Sequence, residues 1–428
     1  MNSQAVAQTQ RRPVSVRYRW VQLGIGVVCM MAVANIQYSW TLFVPDLVKT
    51  FGWSRASLQS SFTIFIVTQV LSTPIVGTII DRYGLRPVIM LGGLAAGLSW
   101  IVDSGAASLG GFYLGAMIGG ISAGCVNACA VNSALKWFPD RRGLAVGIMA
   151  AGYGSGTIFT VLPIAHMIAT SGFARTFFVY GVIQGAIILV AGYFMRSPQP
   201  GHVPYSTTVV QSTRDFSLGE ALHTPVLWLL MIMFACVATG GLMVVAQLSL
   251  IAKDFGIADV QVDVGLFSMA ALPFALMLDR ITNGISRPLF GWISDHIGRE
   301  VTMLVAFTLE AIGMLALATF GTHPAAFIAL SGVAFLAWGE IYSLFAATIG
   351  DVFGTKSIGK IYGVLFLSAG FASFFVPVAN LIQGATGTWA TVFYITATMD
   401  LVAALAAFFI LRPLLRGHYA RYPSNLSA

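Results

Sequence analysis

Apolar residues run along this chain in long blocks, and the polar residues fall in the gaps between them. A helix that crosses a bilayer needs about 20 such residues. Twelve blocks qualify, at 20–44, 57–79, 87–104, 110–134, 142–168, 174–195, 224–251, 263–292, 301–320, 323–350, 360–384 and 388–411. The pattern therefore predicts twelve transmembrane helices. Most gaps are short. The exception is 196–223, RSPQPGHVPYSTTVVQSTRDFSLGEALH, which is polar and carries three prolines. It divides the chain into a six-helix bundle over 20–195 and a second over 224–411, with a linker at 196–223 and tails at 1–19 and 412–428. The predicted fold class is an all-α membrane protein built of two six-helix bundles.

Composition fits this picture. Of 428 residues, 57% are hydrophobic and only 9% charged, against about 25% charged in a soluble domain. The net charge of +7 could suggest a nucleic-acid partner, but the charges lie between the apolar blocks and in the tails, as membrane topology requires. With the N-terminus inside, 17 lysines and arginines fall on the inner side, including Arg11, Arg12, Arg141, Arg142 and Arg214. Only four, Lys49, Arg55, Arg175 and Lys253, fall outside. The expectation is a multi-pass protein of the inner (plasma) membrane with both termini cytoplasmic. The polar start Met1–Arg19 reads as a retained tail and not as a cleaved signal peptide.

Candidate chemistry is sparse. Cys29, Cys125, Cys129 and Cys236 all sit in apolar blocks with no further metal-ligating residues nearby, so they read as packing residues. No metal or cofactor is expected. Gly120–Gly124 (GISAG) matches a nucleophile elbow, but it lies mid-helix and lacks a histidine base, so an enzyme is not expected. Asn425–Ser427 is a glycosylation sequon in a tail expected to be cytoplasmic.

The halves repeat one another. GTIIDRYGLR at 77–86 follows the second block and GWISDHIGR at 291–299 follows the eighth. Each copy places an aspartate at a helix end, then a glycine, then basic residues: Asp81, Arg82, Gly84 and Arg86 in one, Asp295, Gly298 and Arg299 in the other. A carboxylate there can pair with an arginine or with the positive N-terminus of a neighbouring helix, so these seven residues are candidates for a latch. Phe51–Gly52 likewise corresponds to Phe255–Gly256. FPDRRGLAVG at 138–147 corresponds to FGTKSIGKIYG at 353–363. Glycines on the fifth helix (Gly143, Gly147, Gly152, Gly154 and Gly156) predict close helix approach.

The costliest feature is the stretch Asp279–Arg299. An arginine at the centre of a membrane helix costs about 3 kcal/mol and therefore faces a cavity or a partner. A guanidinium presents a planar fork of donors that matches a carboxylate. Arg287 is the candidate anion clamp. Arg280 and Asn283 share its helical face, while Asp279 is turned about 100° away. Asp279 is left either to neutralise Arg280 through a neighbour or to carry a proton. Glu310, Glu340 and Asp400 also lie in apolar blocks, where acids suggest proton coupling. Glu340 is the second candidate for it, although it points away from the face of Trp338 and Tyr342 and a structural partner is favoured over a substrate role. Asp400 reads as structural.

IQYSWTL at 36–42, NSALKWFPDRRGLAVGIMAAGYGSG at 132–156, TPVLW at 224–228, RPLFGWISDHIGR at 287–299, AWGEIYSLF at 337–345 and DVFGTKSIGKIYG at 351–363 resemble the major facilitator superfamily. Within it they resemble the oxalate:formate antiporter family and its monocarboxylate-transporter relatives. The resemblance implies two bundles around a central site, alternating access, and small carboxylates as substrates. It also implies a helix-8 arginine that binds the anion, matched by Arg287. Site positions carried over are Gln37, Tyr38 and Trp40 on helix 1, Asn127 on helix 4 and Tyr153 on helix 5. On helices 10 and 11 they are Trp338, Tyr342 and Phe366. The family's antiporters add a helix-11 lysine, and here that position is Ala369. Its absence favours a singly charged anion unless Arg280 supplies the second charge. The resulting expectation is a monomeric secondary carrier of small organic anions, monocarboxylates first, coupled to protons or to a counter-anion. The rivals are oxalate:formate exchange proper and a transporter-like carboxylate receptor.

Overall fold

In a computed structural model of the chain, the described residues are 15–198, 212, 214–263 and 268–422. Arg11, Arg12 and the Asn425–Ser427 sequon lie outside them. Helix α1 (Val16–Tyr38) begins on Ser15, whose side chain accepts the Tyr18 N–H. It therefore starts within the stretch expected as a tail. Ser39 interrupts the path and α2 (Trp40–Phe51) completes the first span. α3 (Arg55–Tyr83), α4 (Leu85–Gly105) and α5 (Leu109–Trp137) follow. α6 (Arg142–Ser155) continues through a turn into α7 (Val161–Tyr193), which is broken at Gly172 (φ 79°) and so supplies the end of the fifth span and all of the sixth.

The linker contains the short helix α8 (Leu218–Leu222), held by a capping box between Ser217 and Glu220. The second half comprises α9 (Pro225–Asp254), α10 (Ala271–Ile297), α11 (Arg299–Phe320), α12 (Pro324–Trp338), α13 (Ile341–Phe353), α14 (Ile358–Ser373), α15 (Phe375–Thr386) and α16 (Ala390–Ala406). A π-turn over Ala407–Leu411 joins α16 to α17 (Arg412–Arg421), so helix extends into the predicted tail. Among the described residues, ten stretches are long and apolar enough to cross a membrane by length and composition alone. α10, which carries the buried charges, and the α6 path complete the twelve.

One boundary is corrected. The block at 263–292 was expected to be helical throughout. Instead, β1 (Gln261–Asp263) pairs antiparallel with β2 (Ser268–Ala270), with Val262 opposite Met269. The helix begins at Ala271 and runs on to Ile297. Before it, Val260 and Val262 alternate with polar Gln261 and Asp263, a period of two that belongs to strands.

The two halves meet along α6 and α10 and along α3 and α14. Both seams depend on glycine. A Cβ on Gly143 would stand 2.3 Å from the Gly291 carbonyl oxygen, and one on Gly147 2.3 Å from the carbonyl oxygen of Arg287. In the other seam a Cβ on Gly77 would meet Gly359 backbone at 2.6 Å. Backbone cannot retract as a flexible side chain can. Gly147→Ala is therefore expected to cost about 1–3 kcal/mol of the closed arrangement, read as a lowered melting temperature and a transport rate reduced severalfold. An unchanged rate would show that this seam need not close.

Candidate functional site

The turn after each repeated aspartate is a glycine with positive φ, 85° at Gly84 and 95° at Gly298, where a Cβ would be strained. Each turn directs the following helix back and leaves the aspartate at the end of its own. The two aspartates then differ. Asp295 Oδ1 accepts the Gly143 N–H at 3.1 Å and its Oδ2 the Leu144 N–H at 3.0 Å. A carboxylate from the second half thus caps the N-terminus of α6 in the first. Arg299 Nη1 lies 2.7 Å from Asp295 and Nη2 lies 2.9 Å from Asp351. Asp351 also holds Arg142 of the first half at 3.0 Å. Arg142, Arg299 and Asp351 are all buried.

In the other copy Asp81 has Lys360 at 3.8 Å, with Lys136 also near enough to act on its charge. Arg82 lies over Tyr83 and Arg86 over Tyr193. The motif reading placed all seven residues at one face of the bundles, the face that carries the chain ends. Arg142 and Asp351, in the stretches 132–156 and 351–363, join this network without having been expected there. Their signal was a charge at each of the matching junctions 4/5 and 10/11.

Above this network lies a cavity between the halves. The first half lines it with Gln37, Tyr38, Gln69, Asn127 and Tyr153, and the second with Arg287, Tyr342, Tyr362, Phe366 and Ala369. Tyr153 donates its hydroxyl to Gln37 Oε1 at 2.6 Å, and the Tyr38 ring meets Tyr153 edge-on at 5.6 Å. Tyr362, not expected at the site, stacks on Phe366 at 5.8 Å. It stands one helical turn before Phe366, a spacing that could have revealed it.

Arg287 is 2% exposed. Its Nη1 donates to the Ala150 carbonyl at 2.7 Å, across the seam, and its Nη2 to Asn283 Oδ1 at 2.8 Å. The guanidinium lies over the Tyr342 ring at 4.8 Å. Nε has no hydrogen-bond partner among the described residues. No Asp or Glu among them lies within ion-pair distance. The protein therefore orients this cation with neutral groups and leaves its charge open. In a low-dielectric cavity such a charge attracts an anion far more strongly than in water.

Two aromatic residues expected in the cavity are placed elsewhere. Trp40 follows the break at Ser39, which turns it out of the α1 face. It packs with Phe112 at 6.2 Å in a cluster that includes Phe43, Trp100 and Phe177. Trp338 ends α12, and its indole fills the space beside Gly241 of α9, with Tyr342 edge-on at 5.6 Å. Glu340 stands at the break between α12 and α13, wholly buried and outside the cavity lining. Asp279 is also wholly buried, close enough to Arg280 to feel its charge and beside Ser331 of α12. Neither is paired with a base within 4 Å among the described residues.

The sequence model of the Major Facilitator Superfamily matches residues 23–283 and 281–423. The chain belongs to the major facilitator superfamily. It is a multi-pass membrane transporter by family. The oxalate:formate antiporter of Oxalobacter formigenes is 34% identical over 399 residues, covering 92% of each chain. Human monocarboxylate transporter 11 is 26% identical over 42% of this chain and 41% of its own. Among solved structures, the major facilitator proton:xylose symporter XylE bound to 6-bromo-6-deoxy-D-glucose superposes with a TM-score of 0.69 at 14% identity, covering 93% of this chain and 97% of its own. At that identity it supports the shared fold. The superfamily fold accounts for the two halves, the central cavity and the repeated aspartate turns.

Proposed function

We propose that this transporter is a secondary active carrier of small organic anions, monocarboxylates foremost, working by alternating access. The observation that carries the reading is Arg287: a buried guanidinium at the cavity, held by a carbonyl and an amide oxygen, with no acidic partner in the described residues. Similarity to an oxalate:formate antiporter over nearly the whole chain points to the same substrate class. Gln37, Tyr38, Asn127, Tyr153, Tyr342 and Phe366 shape the pocket, and Asn283 positions the clamp. The proposed carrier is a monomer in the inner (plasma) membrane, with the latch and both termini on the cytoplasmic side, where most of the basic residues lie.

In the cycle, an anion binds Arg287 while the latch side is closed. Release of the Asp295, Arg299 and Asp351 network lets the halves rock and exposes the site to the other side. The return step requires a proton, with Asp279 or Glu340 as carriers, or a counter-anion. Oxalate:formate exchange proper is the second reading. Ala369, uncharged in the cavity wall, counts against it because it leaves helix 11 without a cation.

The direct test is thermal unfolding of the purified protein with formate, acetate, lactate or oxalate. A ligand that binds the native state at 100 times its Kd stabilises it by about 2.7 kcal/mol. At least one of these anions is expected to raise the melting temperature by several degrees, with neutral sugars giving no shift. A sugar-only response would overturn the reading.

A further inference from the structure

The linker does more than join the halves. Its last residues lie against the end of α13, which carries the latch residue Asp351. The Ser212 N–H donates to the Asp351 carbonyl at 2.8 Å, and the Phe216 N–H to the Phe353 carbonyl at 2.9 Å. Asp215 Oδ1 accepts the N–H groups of Thr355 and Lys356 at 2.9 and 3.1 Å, just past the turn at Gly354 (φ 77°). α17 closes over this strap through His418, which is buried. Its ring lies 5.3 Å from Phe216, 6.0 Å from Phe353 and 5.0 Å from Tyr422. The ring is hydrogen-bonded to the backbone of Val352, the residue after Asp351, and its Nε2 has no partner among the described residues. One imidazole thus touches both the strap and the segment that the strap holds.

A positive charge is unwelcome on this ring. Arg214 of the linker already lies over Phe216 at 5.1 Å and over Tyr422 at 5.2 Å, two of the rings that flank His418. The nearby carboxylates are engaged: Asp351 with Arg142 and Arg299, Asp215 with the two amides, and Glu220 with Arg214. Tyr419, the next residue of α17, stands among the charges of Asp351, Glu300, Arg299 and Arg142. Burial lowers the imidazole from its ordinary value of 6.5, and the bond to Val352 opposes that shift. The neutral ring therefore docks fully above that pH, and docking weakens as pH falls below it.

We propose that the linker strap, pinned by His418 of α17, braces Asp351 in the latch, and that acid on the latch side loosens this brace. The proposal rests on the reading of the Asp295, Arg299 and Asp351 network as the latch. Protonation makes Nε2 a donor with no acceptor, in an aromatic site beside a guanidinium. The ring leaves that site and the strap loses its cover. Asp351 then keeps its two arginines but loses the backbone bond from Ser212 that fixes its position.

The test is amide hydrogen exchange of the purified full-length protein at about pH 7.5 and about pH 5.5, with each rate divided by its intrinsic value at that pH. The amides of Phe216, Thr355 and Lys356 report the strap. Those of Gly143 and Leu144, which donate to Asp295, report the latch. Peptides of α4 serve as the reference for the rest of the fold. In the wild type, strap and latch amides are both expected to exchange about threefold faster or more at the lower pH, relative to α4. His418→Gln cannot take up the proton, so this pH dependence should vanish whether its strap is docked or free. No acceleration in the wild type, or the same acceleration in His418→Gln, overturns the proposal. Asp215→Ala should speed the latch amides at the higher pH as well. Strap amides that respond while Gly143 and Leu144 do not would overturn the brace and leave the latch standing. If Asp351→Ala keeps Gly143 and Leu144 as protected as in the wild type, the latch reading itself falls, and the proposal with it.

Discussion

Arg287→Ala is expected to abolish carrier-mediated uptake of the substrate anion in proteoliposomes. The guanidinium is buried and already oriented by Ala150 and Asn283, so the anion meets a donor fork that needs no reordering. Removing one partner of a buried, hydrogen-bonded charge pair costs about 2–5 kcal/mol, which corresponds to roughly 30-fold to several thousand-fold in affinity. Arg287→Lys keeps a charge but replaces the planar fork with a compact ammonium. It also gives up the geometry that spans Ala150 and Asn283 together. Its uptake is expected to lie between that of wild type and alanine, with the loss appearing first in apparent affinity. Uptake by the alanine variant at the wild-type rate would remove Arg287 from the site.

The second large effect concerns the latch. Asp351 holds Arg142 of one half and Arg299 of the other, and all three are buried. Asp351→Ala would leave two buried guanidiniums without their shared carboxylate. Breaking a buried ion pair by removing one partner costs about 3–5 kcal/mol. The closed arrangement alone bears that cost, because on opening the arginines reach water. The variant is therefore expected to populate the form open on the latch side and to transport at least tenfold more slowly. Leu135 provides a reporter, since it is fully buried and packs beside Gly350 of the other half. In a Leu135→Cys background, Asp351→Ala should raise the rate of labelling by a polar maleimide by tenfold or more. Equal labelling with and without Asp351 would show that the latch does not hold this side shut. Lys360→Ala serves as the contrast. Its pair with Asp81 is long and partly exposed, and such a pair contributes about 1 kcal/mol or less.

The span count, the division into halves and the repeated aspartate turns were all legible in the sequence, because lipid imposes length and charge rules on every segment. The helix-8 arginine was legible for the same reason: a charge in an apolar block needs a cause. What the pattern could not convey was direction after a break. Trp40 and Trp338 were carried over to the cavity from the family resemblance, but Ser39 and the Gly339–Glu340 turn interrupt the helices at those residues. The hairpin before α10 was missed because a short apolar run obscured its alternation. Asp351 was missed because its partners lie 52 and 209 residues away, and only the charge it shares with the matching 4/5 junction pointed to it.

α10 brings three features together within a dozen residues. Arg287 points its side chain into the cavity, while its carbonyl oxygen lies on the seam against Gly147 and accepts from Ser343 Oγ at 3.2 Å. Asp295 and, just beyond the turn, Arg299 sit in the latch. Between them Pro288 lacks the N–H that would have tied it to Gly284, which leaves a soft joint in the helix. The proposed anion clamp and the aspartate of the latch thus stand on one helix, on either side of Pro288. In the proposed cycle, an anion bound at Arg287 would therefore act on the same helix whose far end carries Asp295 into the latch.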